Sequence, residues 1–262
     1  MYNLFAHKGL NDSNPFVLTK IIKKYIDIAK PEIIIVSPGY LSTKPNTTRM
    51  LLNDILLDWY QQDQHKLMGI TAGMNGVNKQ GSPINLINHW QELTNRNVRV
   101  IEFMKSSSYA TNKDHKKMVF FADFLYPECN FGRGNVTIDI SNIDMYIDKI
   151  KVKAISAGSS NFSKQTYIGN RSGTADKGEA DIFMYSKEAN GANSNFHGFL
   201  LESLESTDLF QYNDDIVPPM LSESLRIGNI PPHSSNIFTN ELSPDEKYLT
   251  WMLYETLKDQ LS

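Results

Sequence analysis

Residues 31–42, PEIIIVSPGYLS, carry four consecutive β-branched apolar residues, Ile33 to Val36, closed by Ser37-Pro38-Gly39. An apolar run this short, bounded by proline and glycine, predicts a buried strand followed by a turn. Working outward, FVLTKIIKKYIDIAK (16–30) places apolar residues at helical spacing with lysines between them, and Pro31 ends that helix. Downstream, 47–62 reads as a second amphipathic helix and KLMGITAG (66–73) as a second buried strand. SPINLINHWQEL (82–93) opens on a Ser-Pro helix start and continues at helical period. VRVIEF (98–103) and KKMVFFADF (116–124) are the third and fourth strands. This alternation predicts an α/β fold, a mixed and partly parallel sheet flanked by helices.

Beyond residue 124 the pattern changes. Residues 127–150, with NFGRGN and TIDISNIDMYID, read as a loop or hairpin. KVKAISAG (151–158) is the next strand, ending in small residues, and EADIFMY (179–185) alternates like another. From about Asp208 the chain is acidic and rich in proline, with Pro218, Pro219, Pro231 and Pro232. Ser243-Pro244-Asp245-Glu246 is a capped start for a closing helix, YLTWMLYETLKDQL. The expected organisation is a main domain over 1–207 and a short C-terminal extension over 208–262.

Hydrophobic residues make up 40% of the 262, enough for a full core and against global disorder. A single cysteine, Cys129, excludes an internal disulfide framework and a cysteine-rich zinc site. The start MYNLFAHKGL lacks the basic-then-apolar layout of a signal peptide, and no apolar run reaches membrane-spanning length. A cytoplasmic protein without membrane partners is expected. Net charge is −3, but it is unevenly spread: residues 1–104 carry 11 Lys/Arg against 8 Asp/Glu, 105–177 carry 11 against 7, and 178–262 carry 4 against 14. A polyanion is steered to the first two thirds and repelled from the last.

Two stretches carry chemistry. Asp114-His115-Lys116-Lys117 enters the fourth strand, and alternate residues of a strand share a face, so His115 and Lys117 point the same way. An imidazole can attack phosphorus or donate a proton, and a nearby ammonium can neutralise a phosphate oxygen. Gly158-Ser159-Ser160-Asn161-Phe162-Ser163 follows the strand 151–157. Small residues there let backbone approach a phosphate, and Ser159 and Asn161 offer hydrogen bonds to its oxygens. Either stretch alone is common. Both together, in this order and each beside a strand, are far more specific.

His115-x-Lys117 followed by Gly158-Ser159-x-Asn161 resembles the HKD signature of the phospholipase D superfamily, over about residues 16–186. The resemblance implies a phospholipase D-like mixed sheet, a covalent phosphohistidine intermediate on His115, and no metal or other cofactor. It makes Lys117 a phosphate clamp and gives Ser159 and Asn161 binding or orienting roles. Lys113, Lys116, Ser160 and Lys164 are expected to contact substrate. Family nucleases also carry a glutamate that orients a histidine at the start of the strand after the Gly-Ser-x-Asn turn. Glu179 matches that place, with Asp181 as the alternative. Two departures stand out. Asp123 lies six residues after Lys117, where five is usual, which marks it as structural; and the insertion 124–150 between the motifs is expected to protrude.

The chain has one His-x-Lys; His7, His65, His89, His197 and His233 lie in other contexts. One histidine must attack and another must protonate the leaving oxygen. A single copy therefore implies a homodimer with a composite active site near a two-fold axis. Single-motif members of the family are mostly nucleases, and the layout here is similar to that of NgoFVII-type restriction endonucleases, whose substrate is DNA. Only about 55 residues follow residue 207, too few for a recognition domain of ordinary size. Either the chain is the catalytic part of a longer protein, or it recognises DNA through the insert and partners, such as an additional specificity or ATPase subunit. The competing readings are a non-catalytic DNA-binding or scaffold module, a nonspecific nuclease and a lipid phosphodiesterase. The last finds no amphipathic membrane segment, and its anionic surface would repel the acidic tail.

Overall fold

A computed structural model describes residues 1–8, 17–38, 59, 67–71, 99–104, 116–126, 129, 136–159, 179–206, 220–223 and 241–258. Their strands form one mixed nine-stranded sheet in the order β6-β4-β3-β2-β5-β7-β8-β1-β9. The strands are β1 (Tyr2–Lys8), β2 (Ile33–Pro38), β3 (Leu67–Thr71), β4 (Arg99–Met104), β5 (Lys117–Phe124), β6 (Val136–Asp139), β7 (Ile150–Gly158), β8 (Glu179–Tyr185) and β9 (Met220–Glu223). β2, β3, β4 and β6 run parallel, and every pairing from β2–β5 onward is antiparallel. The mixed, partly parallel sheet expected from the strand–helix alternation is present.

Helices cover both faces. On one, α1 (Val17–Ala29) and α3 (Ala192–Ser206) pack over the sheet. Buried Tyr25 stands edge-on to Phe121, Phe183 and Phe196, with ring centroids 5.0–5.3 Å apart. Each aromatic ring buried this way contributes a few kcal/mol. On the other face, α4 (Pro244–Lys258) lays Leu249, Leu253 and Leu257 against Ile33, Ile35, Phe120, Ile155 and Met184. β2 alternates between the two faces, which is why its sequence is an unbroken apolar run.

Local chemistry sets the helix ends. α1 stops at Ala29, where Lys30 turns left-handed (φ 46°) and donates its N–H to the Ile26 carbonyl at 2.9 Å. Pro31 disfavours helical geometry at the residue before it. At α4 the expected cap is present: Glu246 Oε2 accepts from the Ser243 N–H at 2.8 Å, and Ser243 Oγ accepts from the Glu246 N–H at 3.3 Å.

Three elements differ from expectation or were not foreseen. The stretch 136–150 does not protrude as a hairpin. β6 adds in parallel to β4, and a 3-10 turn and the short helix α2 (Asp144–Ile147) follow it. Ile138, Ile143, Ile147 and Ile150 are buried in the core under α4, because isoleucines at these intervals are more stable out of water. β1, unforeseen, inserts between β8 and β9. Within the expected extension 208–262, the described parts join the sheet and core: β9 pairs with β1, and Thr250 Oγ1 of α4 accepts the Val152 N–H. Of the expected helix 47–62 only Trp59 is described; it is helical and buried, and its indole donates to the Pro31 carbonyl. The expected helix 82–93 lies outside the described residues.

Candidate active site

The strand directions bring the chemistry-bearing segments to one end of the sheet. β2 finishes there at Pro38, paired with Lys117 at the start of β5. β7 finishes there at Gly158, paired with Asp181 near the start of β8, and Asp181 is paired with Ala6 near the end of β1. The β5–β7 ladder begins at Met118–Ala157, so Lys117 and Gly158 are the next residues outward. Lys117, Gly158 and Asp181 thus occupy neighbouring strands at one level. By alternation all three lie on the α1–α3 face, the face of Phe121 and Phe183.

Two hydroxyls fix this edge. Buried Ser37 donates its hydroxyl to the Lys116 carbonyl at 3.2 Å, holding the entry to β5. Exposed Ser159 donates its N–H to the Ala180 carbonyl at 3.0 Å and accepts the Ala180 N–H on Oγ at 2.9 Å. The first turn of the Gly-Ser-x-Asn segment is thereby clamped to β8 from both sides.

Gly158 is required by close approach. A Cβ there would collide with the Asp181 carboxylate and the Ala180 carbonyl and would lie 2.6 Å from the Asp181 Cα. The Asp181 side chain therefore leans from β8 over β7, toward the strand that begins at Lys117. It is only 6% exposed, a carboxylate held out of water at the edge of the sheet.

Of the expected site residues, Lys116, Lys117 and Ser159 are described with their side chains, and Glu179 is placed as the first residue of β8, in register with Lys8. His115, Asn161, Ser160, Lys113 and Lys164 lie outside the described residues. His115 directly precedes the described Lys116, and Ser160 and Asn161 directly follow Ser159, so the chain enters and leaves both motifs at this sheet end. Asp123 is at the opposite end of β5, where Oδ2 meets Lys153 Nζ at 3.2 Å and Oδ1 accepts the Glu32 N–H at 3.1 Å. Its expected structural role holds. The proximity of Asp181 to Gly158 could not be read from spacing, because it depends on the β7–β8 register.

Among the described residues no group of His, Cys, Asp and Glu is arranged to hold a metal ion, and no helix is long and apolar enough to cross a membrane. Comparison with known proteins gives no matching family, no matching curated protein and no matching solved structure.

Proposed function

We propose that this chain is a metal-independent phosphodiesterase of phospholipase D-like fold that cuts DNA, with His115 as nucleophile. One observation carries the proposal. The two motifs, with 40 residues (118–157) and one strand reversal between Lys117 and Gly158, meet the same sheet end, with Lys117, Gly158 and the buried Asp181 carboxylate on one face. The Asp181 carboxylate fills the space over Gly158, so a phosphate would bind beyond it at this sheet end, where the Lys117 ammonium and the Ser159 hydroxyl would stabilise charge on its oxygens.

In the proposed reaction the His115 imidazole attacks phosphorus and the bond to the leaving oxygen breaks, giving a phosphohistidine. The imidazolium of a second copy's His115 protonates the leaving oxygen. Water then attacks the phosphohistidine, losing its proton to that same imidazole, and both histidines return to their starting state. This chemistry requires a homodimer in which two such sheet ends face each other across a two-fold axis. Of the two acids at the start of β8, we assign the positioning role to Asp181, whose carboxylate leans toward β5, rather than to Glu179. A carboxylate beside an imidazole fixes its tautomer and raises its basicity. Within this class the chain is best read as a type II restriction endonuclease acting in the cytoplasm, with sequence recognition assisted by a further subunit.

Incubation of the purified protein with plasmid DNA in EDTA tests this. Discrete fragments are the expected result. A smear makes it a nonspecific nuclease, and binding without cleavage makes it a DNA-binding module. His115→Ala is expected to abolish cleavage and leave the thermal melt unchanged. Cleavage that survives this substitution, or that requires magnesium, overturns the assignment.

A further inference from the structure

We propose that the lysine ridge on the outer side of α1, centred on Lys20 and Lys23, is a docking surface for the DNA backbone beside the motif end; this rests on reading that end as the DNA-cutting centre. α1 divides its residues sharply. Leu18, Ile21, Ile22, Tyr25 and Ile26 are buried against the sheet. At about 3.6 residues per turn, Lys20, Lys23, Lys24, Asp27 and Lys30 fall together on the opposite side. That is four cations against one acid, in a chain whose net charge is −3. The fold uses only part of this charge. Lys24 Nζ meets Asp27 Oδ2 at 3.0 Å and stands 4.9 Å from the centroid of the Phe199 ring of α3. Lys23 is exposed and Lys20 half-buried. Among the described residues, neither of these two meets a carboxylate or an aromatic ring.

Position along the helix ties these two lysines to the site. β2 starts at the far end of the sheet, where Ile33 pairs with Ala122, and α1 enters it through residues 30–32 alone. α1 therefore runs antiparallel to β2, with its last turn at the far end. Tyr25 agrees, because its hydroxyl reaches Asn193, whose amide donates to the Lys153 and Ser186 carbonyls at that end. The 13 residues of α1 and the six of β2 each span about 20 Å. The first turn of α1, with Lys20, thus lies level with Pro38 and Lys117, and Lys23 follows one turn behind. α1 also covers the sheet face that carries Lys117, Gly158 and Asp181. Side chains three residues apart on a helix are about 5–6 Å apart at Cβ, so the pair offers two adjacent cations to neighbouring phosphates of one strand. A phosphate that meets them displaces counterions and breaks no ion pair of the protein. Because the apolar side of α1 is already buried, the helix has nothing to insert into lipid, and a polyanion fits this ridge better than a membrane does. Contacts of this kind set orientation on the duplex without reading its bases.

The test measures binding of a fluorescent random-sequence duplex to the full chain across a salt series. It compares the parent with two double variants of α1, Lys20→Gln, Lys23→Gln and Lys20→Arg, Lys23→Arg. The control is Lys149→Gln, Lys247→Gln, which removes the same charge from the turn before β7 and from α4, on the other face of the sheet. The glutamine pair on α1 is expected to weaken binding about tenfold and to reduce the slope of log K against log salt by about two. The arginine pair should keep the parent's affinity and slope. The control should keep the slope and stay within about twofold of the parent in affinity. Equal losses in the two glutamine pairs would mean that binding answers to net charge, and would overturn the proposal. So would an unchanged slope in the α1 glutamine pair, a loss in the arginine pair, or no duplex binding by the parent. The underlying reading fails separately. A parent protein that binds the duplex but leaves it uncut in EDTA removes the nuclease assignment, while a lowered slope in the α1 glutamine pair still supports the docking surface.

Discussion

The two ends of the central strands use the same residue types for opposite purposes. At the end far from the motifs, Asp123 of β5 and Lys153 of β7 form an ion pair at 3.2 Å. Lys153 also faces Glu188 at 3.9 Å, and Glu188 accepts the Asn193 N–H. The Asn193 amide donates to the Lys153 and Ser186 carbonyls and accepts the Tyr25 hydroxyl at 2.8 Å. A shift of register admits Lys153 to this network: Phe121 pairs with Ala154 and Ala122 with Val152, so the ladder steps over residue 153. Charges there satisfy one another, and the result is stability. At the motif end, Lys117 and Asp181 come from strands separated by a glycine, and the hydroxyls of Ser37 and Ser159 bond to backbone. Here Gly158 admits the Asp181 carboxylate against β7, one strand from the start of β5 at Lys117, and it is this arrangement that the proposed chemistry uses.

This contrast can be broken by exchanging one charge at each end. Asp181→Asn is expected to lower kcat for DNA cleavage about 10²-fold with little change in KM, because the carboxylate acts through the imidazole and not on the substrate. It should also shift the limb of the pH–rate profile that reports the histidine, which a purely structural role would leave in place. Glu179→Gln should cost less than tenfold. If the two results are reversed, Glu179 is the positioning acid and the lean of Asp181 over Gly158 is packing alone. Asp123→Asn is expected to do the opposite, keeping cleavage rates and lowering stability by about 1–2 kcal/mol. That value sits below the range for a fully buried pair because the Asp123 side chain is 21% exposed. Chemical denaturation followed by circular dichroism measures it.

Gly158→Ala sharpens the comparison from the glycine side. The new methyl has no space unless the Asp181 carboxylate moves or β7 and β8 separate. About 1–3 kcal/mol of destabilisation is expected, together with loss of cleavage. The double variant Gly158→Ala, Asp181→Ala should recover much of the stability and none of the activity. Full stability in the single variant would mean that Asp181 has other room, and the close approach would lose its significance.

How much of this was legible in the sequence depends on the range of the interaction. β2 through β5, α1 and the α4 cap follow from local rules, since an apolar run, a helical period and a Ser-x-x-Glu box are each visible within about a dozen residues. β1 was not legible. Tyr2–Lys8 alternates weakly, with Leu4 and Ala6 buried and Phe5 42% exposed, and it is a strand because β8 and β9 flank it. The stretch 136–150 looked like an insert because its isoleucines are irregularly spaced, and only the tertiary fold gathers Ile138, Ile143 and Ile147 into one core. For the candidate site, spacing singles out Lys117 and Ser159, while the closeness of Asp181 to Gly158 depends on the β7–β8 register, which no local pattern carries.

A smaller effect probes the far end alone. Burial, reinforced by the nearby Asp123 and Glu188 charges, pushes the Tyr25 phenol well above its ordinary range, so its hydroxyl stays protonated and donates to Asn193 at any ordinary pH. Tyr25→Phe leaves the three ring contacts in place and removes that donor. The Asn193 oxygen then loses its partner in a buried site, at a cost of about 1–2 kcal/mol. Cleavage should be unchanged, since Tyr25 serves the end of the sheet that holds no proposed chemistry.

The smallest expected effect is at the hinge between α1 and β2. Lys30 is the described non-glycine residue with positive φ, and a side chain in that region costs on the order of 1 kcal/mol. Lys30→Gly removes the clash and keeps the N–H that bonds to the Ile26 carbonyl, but it loosens the unfolded chain, which offsets part of the gain. A net stabilisation of roughly 0.5 kcal/mol is expected, a rise of about 1–2 °C in Tm for a chain of this size.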